Sequence, residues 1–435
     1  MVKNLKLMIY RIIYKIGERL RNPSLKEKYF FLKVSEKWSL DELEKYQLQK
    51  LKELLKIAIN NSPFYKEKLK DINVSEFNSL SELKKIPITT KEELFKYRSD
   101  VHTNLNFKKQ FVARTSGSSG KTLVFNREEA ADSFNRAAIK RGYSWYNVNS
   151  WERNGYFWGS NFSFLKKCKN NLLDKIQNRF RVFSFDENQL KKFIIKLKKA
   201  SYVHGYSSMI YQTAVLINAK KISKPSKIKM VKGTSEKILD SYQKEVIKAF
   251  GSKIISEYGA TESGIIAFEC PFGHMHINME GVLVEEIDNE IVVTNLQMHS
   301  FPIIRYRLGD YIKLDLSGEK CKCGLKHQVL EEVTGRIGEN IYGFNKTYPS
   351  LYLYYVFKNL SKNFNLQLNY QVIQEEKGEL IFLIEQNINF SEESKLVGEI
   401  EKYFKKDISY IIKKNTTFNT HKKNKLKNFI SKING

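Results

Sequence analysis

Leucines at 40, 43, 48, 51, 54 and 55 recur at helical spacing, so residues 38–75 read as helical, with the run closing near Ser62-Pro63. A second stripe lies nearer the start: Leu5, Met8, Ile9, Ile12, Ile16 and Leu20 share one helical face, with Lys6, Arg11, Lys15 and Arg19 elsewhere on the wheel. Those cations interrupt the segment too often for a membrane span or a signal core. The stripe fits either a helix packed on the main domain or a helix lying on an anionic membrane surface, and packing is the expectation.

From about residue 110 the pattern changes to short apolar runs separated by helical ones. Strands are expected over 110–114, 122–125, 202–204, 229–232 and 253–256, with helices from 128, over 209–218 and over 238–250. Strands separated by helices of this length imply a largely parallel sheet covered on both faces. Beyond about 265 the runs shorten, as at 281–287 and 290–295, which suits an antiparallel lobe. After Gly335-Arg336 a helix (351–359), strands (366–374 and 379–385), a helix (391–404) and a basic tail are expected. The fold class is therefore α/β. A large N-terminal domain, 1–335, has mostly parallel sheets plus the antiparallel lobe, and a small mobile α+β domain covers 336–435. There is no internal repeat and no low-complexity linker.

Composition narrows the function classes. A chain of 435 residues that is 42% hydrophobic, with 24 Tyr and 28 Phe, has the aromatic surface needed to offset the entropy of folding. The formal charge of +27 would suit nucleic acid, an anionic membrane or a phosphate-bearing substrate. Its lysines are scattered rather than gathered in a basic tract, so nucleic acid is not an expected partner. Four cysteines, at 168, 270, 321 and 323, are too few for a disulfide framework in a chain this long. With no secretory leader apparent, a cytoplasmic protein is expected, peripheral at the inner face of the membrane if the first helix touches lipid.

Candidate chemistry begins at Thr115-Ser116-Gly117-Ser118-Ser119-Gly120-Lys121-Thr122, between two strand candidates. Glycines allow a tight turn with inward N–H groups, and hydroxyls and a Lys add donors, which together make a phosphate cradle. The loop is not that of a P-loop NTPase, because only two residues separate Gly117 from Gly120-Lys121-Thr122 where that motif needs four. Further on come Ile255-Ser256-Glu257-Tyr258-Gly259-Ala260-Thr261-Glu262, then Tyr306-Arg307-Leu308-Gly309-Asp310, then Gly335-Arg336.

In these motifs and their order the chain resembles adenylate-forming enzymes, and within them the phenylacetate-coenzyme A ligase branch that includes CapK-type capsular polysaccharide proteins. Tyr46-Gln47, the segment 58–65, Trp158-Gly159 and His204-Gly205-Tyr206-Ser207-Ser208 are similar to that branch as well, and the resemblance covers roughly 36–430. It implies that Thr115, Ser116, Gly117, Ser118, Ser119, Gly120 and Lys121 hold the phosphates of ATP. Tyr258, with Gly259 and Thr261 beside it, would line the adenine pocket, Glu262 would help hold Mg²⁺, and Asp310 would accept from the ribose hydroxyls. Arg336 would complete the nucleotide site, Glu236 would lie near the adenylate, and Lys425, on the C-terminal domain, would bridge carboxylate and phosphates.

The implied reaction activates a carboxylic acid as an acyl-adenylate and transfers the acyl group to a thiol, of coenzyme A or a carrier protein, or to an amine such as an amino sugar. It needs no Ser/His/Asp constellation, because a carboxylate is already a nucleophile. Thr122 stands where the family usually has Pro, Glu339 where it usually has Asp, and Asn424-Lys425 where it usually has Gly-Lys. The last supports a second reading, a non-catalytic ATP-binding assembly protein that kept the fold. Finally, Cys270, His276, Cys321 and Cys323 offer three thiolates and an imidazole, a closed set for structural Zn²⁺, with His274 able to replace His276 and free thiols near a turn as the alternative.

Overall fold

The computed structural model describes residues 2–115, 122–158, 164–182, 186–220, 222, 225, 228–336, 340–418 and 428–433. Helices open the chain: Val2–Arg21 (α1), Leu25–Ser35 (α2), Leu40–Asn61 (α3), Pro63–Lys68 (α4), and after two 3₁₀ turns Lys91–Lys96 (α5) and Arg98–Val101 (α6). Ser39 starts α3 with a capping box, its hydroxyl accepting from the Glu42 N–H while Glu42 accepts from the Ser39 N–H. Ser62 ends it, because a residue before proline is driven to extended backbone, and the same side chain caps α4 by accepting from the Tyr65 N–H. The expected single run is thus two helices joined at Ser62. Leu43, Leu51, Leu54, Leu55 and Ala58 of α3 are fully buried, as their spacing predicts.

Helix α1 packs on the main domain, but not through its apolar stripe. The helix meets the protein through Tyr10, Tyr14 and Glu18, which are half-buried, and Met8, Ile9, Ile12, Ile16 and Leu20 are exposed.

Next comes an antiparallel hairpin, Gln110–Arg114 (β1) and Val124–Glu128 (β2), leading into helix Glu129–Trp145 (α7). Strand β2 runs to 128 rather than stopping at 125. Alternation follows: Asn154–Phe157 (β3), Phe164–Ile176 (α8), Arg179–Val182 (β4), Glu187–Leu197 (α9), Tyr202–Tyr206 (β5), Ser207–Ala219 (α10), Met230–Thr234 (β6), Asp240–Phe250 (α11) and Ile254–Ala260 (β7). Strands β4, β3, β5, β6 and β7 lie side by side and parallel. Their apolar residues, among them Phe157, Val203 and Val231, form one buried core with α9, α10 and α11.

At β7 the direction changes. Gly264–Glu269 (β8), Met275–Ile277 (β9), Val282–Ile287 (β10), Glu290–Asn295 (β11), Tyr306–Leu314 (β12) and Val329–Arg336 (β13) continue the same sheet, every neighbouring pair antiparallel. The parallel and antiparallel parts expected from the sequence are one 11-stranded sheet, hinged on β7. A second core, shared by α3 to α5 and the antiparallel strands, fills this side.

A short hairpin, Asn340–Tyr342 (β14) and Thr347–Pro349 (β15), precedes helix Leu351–Phe364 (α12), strands Tyr370–Gln374 (β16) and Glu379–Ile384 (β17), helix Phe390–Phe404 (α13), and strands Ser409–Lys413 (β18) and Phe429–Ser431 (β19). The expected basic tail therefore contributes two strands. β18 pairs in parallel with β17, and β19 in parallel with β16, burying Phe429. Lysines mask this pattern in the sequence, since the strand faces alternate too briefly to register against them. The core of this four-stranded unit also takes in Leu239 and Tyr242 from around α11. Tyr211 on α10 donates to Glu385 at 3.0 Å across the same contact.

Candidate active site

Thr115 closes the neck of the hairpin loop. Its N–H donates to the Leu123 carbonyl and its hydroxyl accepts from the Leu123 N–H, each at 3.0 Å, and the residue is buried. Ser116, Gly117, Ser118, Ser119, Gly120 and Lys121 lie outside the described residues. The strand leading out of the loop is fixed by two charged residues that the sequence reading missed. Glu128 accepts from the N–H groups of His299 and Ser300, at 2.6 and 3.2 Å, and Arg127 donates to the Thr261 carbonyl. Burial lowers the Arg127 guanidinium from its usual pKa, with Asp132, Glu128 and Glu262 opposing the shift. Nothing in the order of residues 127–128 distinguishes them from surface charge, so only packing reveals them.

Thr261 and Glu262 follow the end of β7. The Thr261 hydroxyl lies 3.5 Å from the Arg114 carbonyl, so the turn after β7 touches the hairpin at the neck of the Gly/Ser loop. Glu262 is buried, and Asn295 donates to the Glu262 and Ser263 carbonyls at 3.4 and 3.1 Å. Most of the motif 255–262 is itself strand, because β7 extends to Ala260 where the sequence predicts a strand ending at 256. Gly259 is required there by close approach: a Cβ would sit 2.5 Å from the Gly264 carbonyl oxygen across the β7–β8 turn.

The Tyr258 hydroxyl donates to Asp310 Oδ2 at 2.8 Å. Strands β7 and β12 are four places apart in the sheet. In a flat sheet they would be separated by roughly 19 Å, at about 4.8 Å per strand, far beyond the reach of a tyrosine. The antiparallel half must therefore curl, and the curl brings β12 over the end of β7. Short β9, joined to β13 through only Val329 and Leu330, is where the sheet is thinnest and can bend. Asp310 is also the register partner of Arg336 on β13. Thus Thr115, Thr261, Glu262, Tyr258, Asp310 and the backbone of Arg336 form one connected locus. Lys425 lies outside the described residues, between anchored β18 and β19.

Glu236 stands apart from that chain of contacts. Its carboxylate accepts from the N–H and hydroxyl of Ser208, at 2.9 and 2.8 Å, which places the negative charge at the first turn of α10, where it offsets the helix dipole. Glu236 nonetheless lies just beyond the end of β6, on the same side of the sheet as the end of β7. Beside it the ends of β3 and β5 carry four stacked rings: Tyr156 on His204 at 4.4 Å between centroids, and Trp158 on Tyr206 at 4.9 Å. Gly205 permits the stack, since at its φ of +133° a Cβ would meet the Phe157 carbonyl oxygen at 2.0 Å. Burial, reinforced by Lys232, Arg179 and Arg181, holds His204 well below its usual pKa, so the ring is a neutral wall and not a proton carrier at neutral pH. A buried ion pair, Lys232 to Glu257 at 2.6 Å, crosses from β6 to β7 beneath it. The rings occupy the carboxyl ends of β3 and β5, where the strand order reverses because β4 lies on one side of β3 and β5 on the other, the usual ligand crevice of open α/β sheets.

The Cys/His residues assemble elsewhere. Donor atoms of Cys270, His276, Cys321 and Cys323 all lie within 4.8 Å of one another. Cys270 Sγ is 3.7 Å from Cys321 Sγ, and Cys323 Sγ is 3.2 Å from His276 Nε2. Two tight turns present them, the Gly273 N–H donating to the Cys270 carbonyl and the Gly324 N–H to the Cys321 carbonyl. His274 Nδ1 also approaches Cys321 Sγ, at 3.3 Å. Beneath the cluster Glu280 is fully buried and takes hydrogen bonds from Arg141 and Ser35, both at 2.6 Å, with His327 at 3.1 Å. Burial alone would raise the Glu280 carboxyl, but Arg141 and His327 outweigh it and hold it well below the usual range.

No protein-family profile matches the chain. Over 88 residues, 19% of this chain and 22% of the relative, it is 34% identical to the indoleacetate–lysine synthetase of Pseudomonas savastanoi. It is 23% identical over 231 residues to the protein CapK of Staphylococcus aureus, covering 50% of this chain and 51% of that one. The chain thus spans about half the length of one curated relative it matches and less of the other. Among solved structures, a 2-hydroxyisobutyryl-CoA ligase in the post-adenylation state with R3-HIB-AMP superposes with a TM-score of 0.71 at 13% identity, over 92% of this chain and 91% of that one. The resemblance to adenylate-forming enzymes drawn from the motifs holds for the fold of nearly the whole chain. No helix among the described residues is long and apolar enough to cross a membrane.

Proposed function

We propose that this protein is an adenylate-forming ligase that uses ATP to activate a carboxylic acid and then passes the acyl group to a thiol or an amine. The observation that carries the reading is the connected locus at the end of β7, where Tyr258 donates to Asp310 and Thr261 touches the neck of the Gly/Ser loop. Four segments far apart in sequence meet there, and together they would offer a loop for phosphates, an aromatic face for adenine and a carboxylate for ribose. The substrate carboxylate would enter past the rings of Trp158 and Tyr206. Its oxygen attacks the α-phosphorus, the bond to pyrophosphate breaks, and the chain's task is alignment and charge neutralisation.

Glu262, a buried hard-oxygen donor beside the loop neck, fits Mg²⁺, which when bound supplies positive charge to the phosphates. Thr115 and Ser116 to Lys121 would hold those phosphates, Gly259, Thr261 and Arg336 would frame the nucleotide, and Glu236 would keep α10 in place beside the adenylate. Lys425 would reach the site from the unit beyond 336, which pivots near Gly335 and Arg336. As acceptor, coenzyme A, a carrier-protein thiol and an amino sugar all fit this chemistry, and a place in surface polysaccharide synthesis rests on the partial likeness to CapK.

Cys270, His276, Cys321 and Cys323 would hold a structural Zn²⁺. Two thiolates on one tetrahedral zinc stand about 3.7 Å apart, given Zn–S bonds of about 2.3 Å, which is the spacing of Cys270 and Cys321.

The reading is tested by acid-dependent exchange of labelled pyrophosphate into ATP across a panel of aliphatic, aromatic and amino acids. Exchange with at least one acid, reduced by a factor on the order of 10² in Glu262→Gln, is expected. ATP binding with no exchange for any acid would favour the non-catalytic ATP-binding assembly protein.

A further inference from the structure

Helix α1 is built the wrong way round for a helix that serves only to pack. On a wheel of 100° per residue, Met8, Ile9, Ile12, Ile13, Ile16 and Leu20 fill one arc, opposite Tyr10, Tyr14 and Glu18. The second arc faces the protein. Tyr14 meets the Trp151 ring at 6.4 Å between centroids, Glu18 pairs with Lys140 at 3.2 Å, and Lys109 donates to the Leu20 carbonyl at 2.8 Å. The apolar arc faces outward, reaching 55% exposure at Ile16 and 73% at Leu20. Neighbouring α8 extends it with exposed Leu172, Leu173 and Ile176. In α3, a helix of similar length and similar leucine spacing, Leu43, Leu51, Leu54 and Leu55 of the corresponding stripe are fully buried.

We infer that α1, with the exposed edge of α8, is a docking surface for an anionic lipid leaflet. Charge selects this occupant. The helix carries six Lys or Arg against one Glu, with Lys15 at one edge of the apolar arc and Arg19 just inside that edge, so the aliphatic face can enter the acyl boundary while the long cationic side chains reach the headgroups. A second copy of the chain is the other occupant to weigh, but pairing two such helices would set like charges against each other. A leaflet of negative surface potential makes the same cations favourable.

The test is flotation of the full chain with vesicles of phosphatidylcholine alone or with about 30% phosphatidylglycerol. Binding to the anionic vesicles, at least about tenfold weaker on neutral ones and weakened by high salt, is expected. The double variant Ile12→Glu/Ile16→Glu changes only exposed positions, so its unfolding midpoint should stay with the parent while its vesicle partition falls by about tenfold or more. Arg19→Gln should lower partition several-fold. Equal binding to neutral vesicles, unchanged partition of the double variant, or a dimer in solution that the double variant dissociates without any vesicle binding would each overturn the inference.

Discussion

The proposed nucleotide locus and the Cys/His cluster are both polar constellations drawn from distant segments of the chain, yet they are built on opposite plans. At the cluster every donor turns inward, Cys270 and His276 are buried, and the four ligand atoms already face one another within 4.8 Å. At the proposed nucleotide locus the contacts join neighbours in a line, from the hairpin neck to Thr261, along β7 to Tyr258, and across to Asp310. A set whose four ligand atoms face one another suits one small cation and has nowhere to admit substrate, whereas groups strung along a line can each meet a different part of a large ligand. On the proposed reading, that difference in plan is what separates a structural role from a chemical one.

The largest effect should come from Lys425→Ala. Pyrophosphate exchange should fall by a factor on the order of 10² or more, the size typical of one well-placed charge at a transition state, while a supplied acyl-adenylate is still processed. Intact exchange in that variant, with loss in Lys423→Ala or Lys427→Ala, would move the role to a different lysine.

Cys321→Ser should act in the opposite manner. The unfolding midpoint should drop by roughly 5 °C or more and bound zinc should be lost, while kcat of the folded fraction stays within about twofold. A large fall in kcat with unchanged stability would erase the contrast between the two sites.

Tyr258→Phe removes only the hydroxyl that donates to Asp310. With a hydrogen bond worth about 1 kcal/mol, KM for ATP should rise about fivefold with little change in kcat, and Asp310→Ala should exceed it.

The smallest effect concerns the contact between the main sheet and the last four strands. Burial lowers Lys237 to about 7, its ammonium 2.9 Å from the centre of the Tyr354 ring and without a hydrogen-bond partner among the described residues. An unfolded lysine keeps its proton to about pH 10.5. Between these values the unfolded chain binds more protons, so stability should climb with pH above about 7, by at most about 1.4 kcal/mol per unit. Lys237→Met should flatten that slope in pH-dependent unfolding, and an unchanged slope would show that other groups set it.

Much of this was legible in the sequence, for identifiable reasons. The Gly/Ser loop, Tyr258, Glu262 and Asp310 sit in short motifs whose order is itself informative, and α3 and α10 follow from apolar period. Other features depend on tertiary geometry. Nothing in the order of residues shows that the sheet curls enough to join β7 to β12, or that Arg127 and Glu128 anchor the loop. Nor does it show which arc of α1 meets the protein, since periodicity fixes a helix and its stripe but not the direction in which the stripe points. The strands β18 and β19 were hidden by the lysines around them.

The central claim, that the acid is activated as an adenylate, is tested most directly by isotope transfer. A carboxylic acid substrate labelled with ¹⁸O in its carboxylate would be incubated with ATP, Mg²⁺ and acceptor, and the phosphorus products analysed by mass. Because the carboxylate oxygen bonds to the α-phosphorus and stays there when the acyl group departs, the account predicts label in AMP and unlabelled pyrophosphate. Label in orthophosphate alongside ADP, as an acyl-phosphate route gives, or unlabelled AMP would contradict it.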